Sequence, residues 1–401
     1  MATPRRVTEP HYLHKRAGVG GERNQLEWLV RGGPVPSPFQ SKAQSPPPHT
    51  LVVGKTGMGK STLLRDLAAY SMATGAGLLL LDPHGDLADE LLKLVPRRRR
   101  NDLVLFDPRD PGSSPGLNPL RNVSSGNRTV VVSGILATME KLWPENWGPR
   151  TSHLLRHTLL ALCEVRGATL VDARDMLADE RRRAWVLKQT RDTDVLRFWV
   201  KEFTGYSKQL QADAVAAPLN KLGAFISHEK VRTVLTKHRP VLDAEKCLGR
   251  SRIVIARLSK GAIGEDGAHL LGGLLLGLFQ HATMAREAMP SDARTRFALF
   301  VDEIGSFATK PFLELLAEAR KYGVSLTLAT QSLAVMDPEM RAGILGNVGK
   351  LVAFRVGADD ALILEKEFAG RFGPESLMQL DIGERIVKDG GRRAVIVSAA
   401  N

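Results

Sequence analysis

Cysteine is nearly absent from this chain of 401 residues, with only Cys163 and Cys247 present. They fit no metal-ligand spacing and sit in apolar or helical surroundings. Buried free thiols in a reducing compartment are the plain reading, and a disulfide-built secreted fold is disfavoured. Long hydrophobic runs are also missing. The longest apolar stretches are about eight residues and broken by glycine, too short to span a bilayer. The N-terminal MATPRRVTEPHYLHKR is too polar for a signal peptide. The histidines organise no metal site: His153 and His157 stand four apart without an acid or cysteine to complete a ligand set. No internal repeat is visible. These absences point to a cytoplasmic protein with an ordinary core.

Basic charge is in excess. Lys and Arg number 56 against 43 Asp and Glu, a net charge of +13. That balance favours a polyanionic partner, nucleic acid first, although solubility or an anionic lipid surface would also account for it. The length accommodates two or three domains. Residues 1–48 form a basic, proline-rich arm or linker, with six prolines between Gly32 and Pro48. Strand-like runs then alternate with helical patterns: TLVVG (50–54), GLLLLD (77–82) and LVLFDP (103–108). Such continuous apolar runs between helices predict strands buried on both faces of a parallel sheet. From 119 to 245 the patterns are helical, as in SHLLRHTLLALCEV (152–165). Strand-like runs return at 252–258, 297–302, 324–330, 350–356 and 392–398. The economical arrangement is one α/β core, 49–118 plus 246–401, with an all-helical domain inserted at 119–245.

The strongest motif is GKTGMGKS (54–61), which fits G-x-x-x-x-G-K-[ST] between a strand and a helix. Gly54, Gly57 and Gly59 let the backbone wrap closely enough for its N–H groups to face phosphate oxygens. The loop residues Lys55, Thr56 and Met58 and the helix-start residues Lys60, Ser61 and Thr62 complete a nucleotide cradle. Lys60 is expected to reach the β- and γ-phosphates of ATP, and the Ser61 hydroxyl to hold Mg2+. FALFVDE (297–303) supplies the second element. Asp302 is placed to coordinate Mg2+, and Glu303 to activate the attacking water. The strand VSLTLAT ends at Gln331, an amide positioned to contact the γ-phosphate or its water. The plainer alternative for each acid is an ordinary strand end, and for Gln331 a surface or capping amide.

Most arginines are expected to be solvated. The run Arg97–Arg100 reads as a loop, either solvated or touching a phosphate backbone. Arg320 in EARKYG and Arg355 in FRVG stand near core strands, and either is a candidate trans-acting arginine finger. Trp143 and Trp147 in KLWPENWGPR either stack on bases or anchor the helical domain. His84, in DPHGDL (82–87), falls in a loop at the strand edge where ligands bind in such sheets.

Taken together, TLVVGKTGMGKSTLL, LLLLDPHGDLADELL, GLNPL, WGPR, VDEIGSFAT, LAEARKYGVSLTLATQ and ILGNVGKLVAFRVGADDA resemble the conjugative coupling proteins. These are type IV secretion ATPases within the RecA-like hexameric DNA translocases of the FtsK/HerA type. The resemblance runs through roughly 49–370 in consistent order. DPHGDL, EARKYG and ATQ are its more specific parts. It implies a ring of six subunits around DNA, ATP at the subunit interfaces, and Asp82 and His84 near the nucleotide. It also implies a relaxase and a membrane channel protein as partners. Many members carry N-terminal transmembrane helices. None is visible in this sequence, so either a membrane partner recruits the chain or it works away from a channel. Other readings are a helicase-like or DNA-processing ATPase of the same fold, an ATP-gated adaptor with little turnover, and a protein-translocating ATPase.

Overall fold

The computed structural model describes residues 46–391 and 393–398. Most of the expected N-terminal arm therefore lies outside the described residues. The apolar runs form the strands β1 (Thr50–Val53), β2 (Gly77–Asp82), β3 (Leu103–Phe106), β4 (Ile253–Arg257), β5 (Phe297–Val301), β6 (Val324–Thr330) and β7 (Lys350–Ala353). Two more, β8 (Arg385–Asp389) and β9 (Val395–Val397), follow. All nine join one sheet in the order β3-β4-β2-β5-β6-β1-β7-β8-β9. The first seven pair parallel, and β8 and β9 extend the edge antiparallel. The β8 segment was not among the expected strands. RIVKD has two apolar residues and only one buried position, a weak strand signal for a segment that nevertheless pairs with β7 on one side and β9 on the other.

Both sheet faces are covered, and the side chains divide by the two-residue period of a strand. Val52, Leu78, Leu80, Ile253, Ile255 and Phe300 pack on one side with α1 (Lys60–Ala73) and α2 (Asp86–Lys93). Leu51, Val53, Leu79, Leu81, Val254, Leu299 and Val301 belong to the larger core on the other side. Between β3 and β4 the described chain is helical, with α3 (Arg128–Leu142), α4 (Pro149–Leu162), α5 (Lys208–Ile226) and several shorter helices. After β4 come α6 (Glu265–Met284), α7 (Lys310–Glu318), α8 (Pro338–Asn347) and α9 (Ala358–Glu367). The inserted helices are tied to the core by α3 against α6. That approach needs Gly273, since a Cβ there would lie 2.5 Å from Thr138 Cγ2.

The arginine run departs from expectation. Residues 97–102 form a short 3-10 helix, and Arg99 is only 7% exposed. Its guanidinium donates to Met72 O at 3.1 Å, Ala76 O at 2.6 Å and Ser251 O, while Nε meets Asp102 at 3.1 Å. Arg98 donates to Ala73 O at 2.7 Å. The carbonyls of Met72, Ala73 and Ala76 close the C-terminal end of α1, which has no basic residue of its own in its last turn. Arg98 and Arg99 thus cap the helix that follows the phosphate loop. Trp143 stacks on Phe225 with ring centroids 6.4 Å apart, and Trp143 and Trp147 pack against the large core. His153 and His157 meet edge to face and pack on Phe198.

Candidate nucleotide site

A parallel sheet gathers the C-terminal ends of its strands on one edge, and that edge carries the chemistry. The loop after β1 is Gly54–Gly59, and it feeds directly into α1. Gly59 has φ 110°, a left-handed value costly for other residues. A Cβ on Gly54 would sit 2.6 Å from Phe354 Cβ. Helix α1 starts with no side-chain cap and no acid in its first turn. Its first N–H groups and dipole therefore face solvent without an internal anion. Ser61 and Thr62 are exposed on that first turn. The buried Lys60 folds back over the loop, donating to Gly54 O at 2.5 Å and Lys55 O at 3.0 Å. Burial lowers its pKa, against the charges of Asp302 and Glu303. The loop is braced from both flanks. Lys55 N donates to Arg355 O at 2.8 Å, and Gly383 N to Met58 O at 3.1 Å.

The acid pair closes β5. Strand β6 lies between β5 and β1, so the pair is two strand spacings, roughly 10 Å, from the phosphate loop. Asp302 is buried, and burial pushes its carboxyl up to about 6, helped by the charges of Asp82 and Glu303 and opposed by His84 and Lys60. Glu303 has φ 57° and ψ 62°, a left-handed backbone. Such a conformation in a non-glycine residue costs on the order of 1–3 kcal/mol and persists only where the surroundings enforce it. Here Asp302 N donates to Leu81 O at 3.0 Å and Ser306 N to Glu303 O at 2.9 Å. The carboxylate accepts from Thr330 Oγ1 at 3.0 Å. Next to it, Gln331 Oε1 accepts from Thr56 Oγ1 at 3.1 Å, joining the end of β6 to the phosphate loop.

Asp82 and His84 lie beside this corner, at the end of β2. Asp82 is fully buried, and its two oxygens accept His84 N at 2.9 Å and Ala88 N at 2.8 Å. It thus holds the DPHGDL turn and shapes the field at Asp302. The His84 ring is exposed on the same edge. The two arginine candidates separate clearly. Arg355 follows β7 beside the phosphate loop, its Nε tied to Leu380 O at 2.6 Å. Arg320 lies in the 3-10 turn Ala319–Tyr322, before β6 and so at the opposite edge of the sheet, exposed. Its charge acts there on the buried His49, whose pKa burial and Arg320 together lower to about 4. In the sequence, ATQ stands out as a motif without giving Thr330 a role. Asp360 of α9 was likewise unmarked, yet it is buried and accepts Leu333 N and Ala334 N, each at 2.8 Å. Nothing local in GADDA marks a pairing made across 26 residues.

Comparison with known proteins agrees with this arrangement. Residues 47–142 match the family described as the central domain of the helicase HerA, and residues 296–379 that described as the TraM recognition site of TraD and TraG. The type 4 coupling protein DotL of Legionella pneumophila is 24% identical over 343 residues, which is 71% of this chain and 44% of DotL. The chain thus spans less than half the length of that relative. Among solved structures, the bacterial conjugative coupling protein TrwB in complex with sulphate superposes with a TM-score of 0.65 at 16% identity, covering 91% of this chain and 88% of TrwB. TrwB with ADP and Mg2+ gives 0.62 at 16%, covering 92% and 88%. VirB4 of Thermoanaerobacter pseudethanolicus gives 0.57 at 14%, covering 90% and 92%. The fold is therefore a RecA-like α/β core with an inserted all-helical domain. Across the phosphate loop, the acid-pair strand and the sheet between them, this chain is similar to the conjugative coupling proteins, sharing segments with the HerA central domain and with TraD and TraG.

Proposed function

We propose that the protein is an ATP-hydrolysing motor that moves DNA through a ring of its own copies, six by analogy with the family. The observation that carries the ATPase reading is the pairing of an uncapped helix N-terminus behind the Gly54–Gly59 loop with an acid pair one strand removed. ATP phosphates would replace the carbonyl contacts of Lys60, which turns its ammonium onto the β- and γ-phosphates. Glu303 then takes a proton from the attacking water as the water oxygen bonds the γ-phosphorus and the bond from that phosphorus to the β–γ bridging oxygen breaks, releasing ADP and inorganic phosphate. Gln331 orients the water or the γ-phosphate and, through Thr56, registers whether that phosphate is present.

A hard divalent cation fits the same corner. Asp302 is buried beside two other carboxylates with Lys60 as the nearby cation, and Mg2+ with oxygen ligands offsets such charge. Ser61 and Asp302 would hold it, and when bound it neutralises charge on the phosphates. Arg320 suits the trans finger better than Arg355, because it is exposed on an edge its own nucleotide cannot reach. The +13 charge and the likeness to coupling proteins support DNA as the substrate. A relaxase and a membrane channel protein are the partners this reading implies. Among the described residues no helix is long and apolar enough to cross a membrane.

Lys60→Ala and Glu303→Gln test the assignment. The first is expected to lose ATP binding, and the second to keep binding while hydrolysis falls by at least about a hundredfold. Turnover by Glu303→Gln near the wild-type rate would remove Glu303 from the role of base.

A further inference from the structure

The phosphate loop has two flanks. The acid pair ends β5, two strands to one side of β1, while β7 and β8 lie on the other. Strand β8 runs antiparallel to β7 with Ile386 opposite Ala353, so its first residue stands at the sheet edge that carries the phosphate loop. The four residues before it, Asp381 to Glu384, form a closed turn. Glu384 N donates to Asp381 O at 3.0 Å, and Asp381 N donates back to the Glu384 carboxylate at 3.1 Å. Gly383 has φ 83°, the left-handed third position of a type II turn, which leaves Ile382 at the outer corner.

The turn is fastened to the phosphate loop. Gly383 N donates to Met58 O at 3.1 Å, and a Cβ on Gly59 would come within 3.7 Å of Gly383 Cα. Arg355 joins the root of the turn to the start of the loop, its Nε donating to Leu380 O at 2.6 Å and its carbonyl accepting Lys55 N at 2.8 Å. Ile382 is nonetheless 71% exposed, and the neighbouring Met58 is half-buried. Apolar side chains scattered singly over a surface are ordinary. This one is set apart by its place, since a turn so constrained holds it ready beside the phosphate loop. The flank is also the one a nucleotide must use. With the γ-phosphate turned towards Glu303, the covalent order of ATP sends its ribose and base away from the acid pair, to the side of β7 and β8.

The geometry points to the 381–384 turn as a wall of the subsite for the nucleotide base, with Ile382 lying against the face of the adenine. An aliphatic side chain meets a base through its apolar face, and the contact takes both surfaces out of water. This inference rests on the reading of the loop 54–61 as the ATP site.

The test is displacement of a fluorescent ATP analogue from the full-length protein, in the presence of Mg2+, by ATP and by inorganic triphosphate. Wild type, Ile382→Ser and Ile382→Leu are compared, and the exposure of the position keeps both variants folded. Ile382→Ser should weaken ATP about fivefold and leave triphosphate, which has no base, unchanged. Ile382→Leu keeps an aliphatic side chain and should hold ATP within about twofold of wild type. ATP bound as tightly by Ile382→Ser as by wild type overturns the proposal. So does an equal loss of ATP and triphosphate, which marks a disturbed phosphate loop or a contact between subunits. Absence of analogue binding by wild type fails the nucleotide-site reading instead, and this inference with it.

Discussion

Replacing Asp302 with asparagine should stabilise the nucleotide-free protein at pH 8, even though it damages the site. The carboxyl is buried among like charges, and its pKa is raised from 3.8 to about 6. The folded state therefore holds this proton more tightly than the unfolded state does. Below about pH 4 both states carry it, and the ionisation costs nothing. As pH rises from about 4 through 6, the folded state must bear a charge it disfavours. Stability is lost over that window, up to about 3 kcal/mol above it. The Asp302→Asn change keeps the shape of the side chain and omits the charge. Thermal melting of both proteins without nucleotide should show the variant higher by a few degrees at pH 8, with the gap narrowing below pH 6. Added MgATP should reverse the order at pH 8, because only the carboxylate rewards a bound cation. A variant that melts lower than wild type at pH 8, or a gap that does not change with pH, would show that burial of this charge is not the dominant cost.

Two other outcomes follow from the same geometry. Arg99→Ala leaves the carbonyls at the end of α1 and Ser251 without their buried donor, and should cost about 3 kcal/mol in denaturant unfolding. Substitution of the exposed Arg97 should change stability by less than about 0.5 kcal/mol. If Arg320 acts across a subunit interface, Arg320→Ala and Lys60→Ala proteins should each be inactive alone yet recover partial ATPase activity when mixed into common rings. No recovery on mixing would return the finger to Arg355 or to no arginine at all.

The strands and the phosphate loop were legible because their signals are local. Continuous Leu, Val and Ile runs mark strands buried on both faces, and the GKTGMGKS glycines mark a loop between strand and helix. The acid pair was legible for the same reason, as two carboxylates at the end of an apolar run. Pairings across the chain were not. Arg99 looks like part of a solvated basic run until α1 is packed against residues 97–102, where its guanidinium finds three carbonyls. Asp82 sits in a motif that suggested a nucleotide contact, but burial and the DPHGDL turn direct its oxygens to backbone N–H groups. Thr330 looks like an ordinary β-branched strand residue, and only the order of β5 and β6 brings its hydroxyl to Glu303. Strand β8, which lies between β7 and the edge strand β9, escaped because only one of its five positions is buried and its apolar signal is correspondingly weak.

Everything proposed for this chain turns on whether its ATP hydrolysis drives movement along DNA. Steady-state hydrolysis by the purified chain, with and without single- and double-stranded DNA and across a range of protein concentrations, decides the matter. A coupled motor should show strong stimulation by DNA that rises cooperatively with protein concentration, as shared sites between subunits require. A rate that DNA leaves unchanged at every protein concentration would overturn the motor reading.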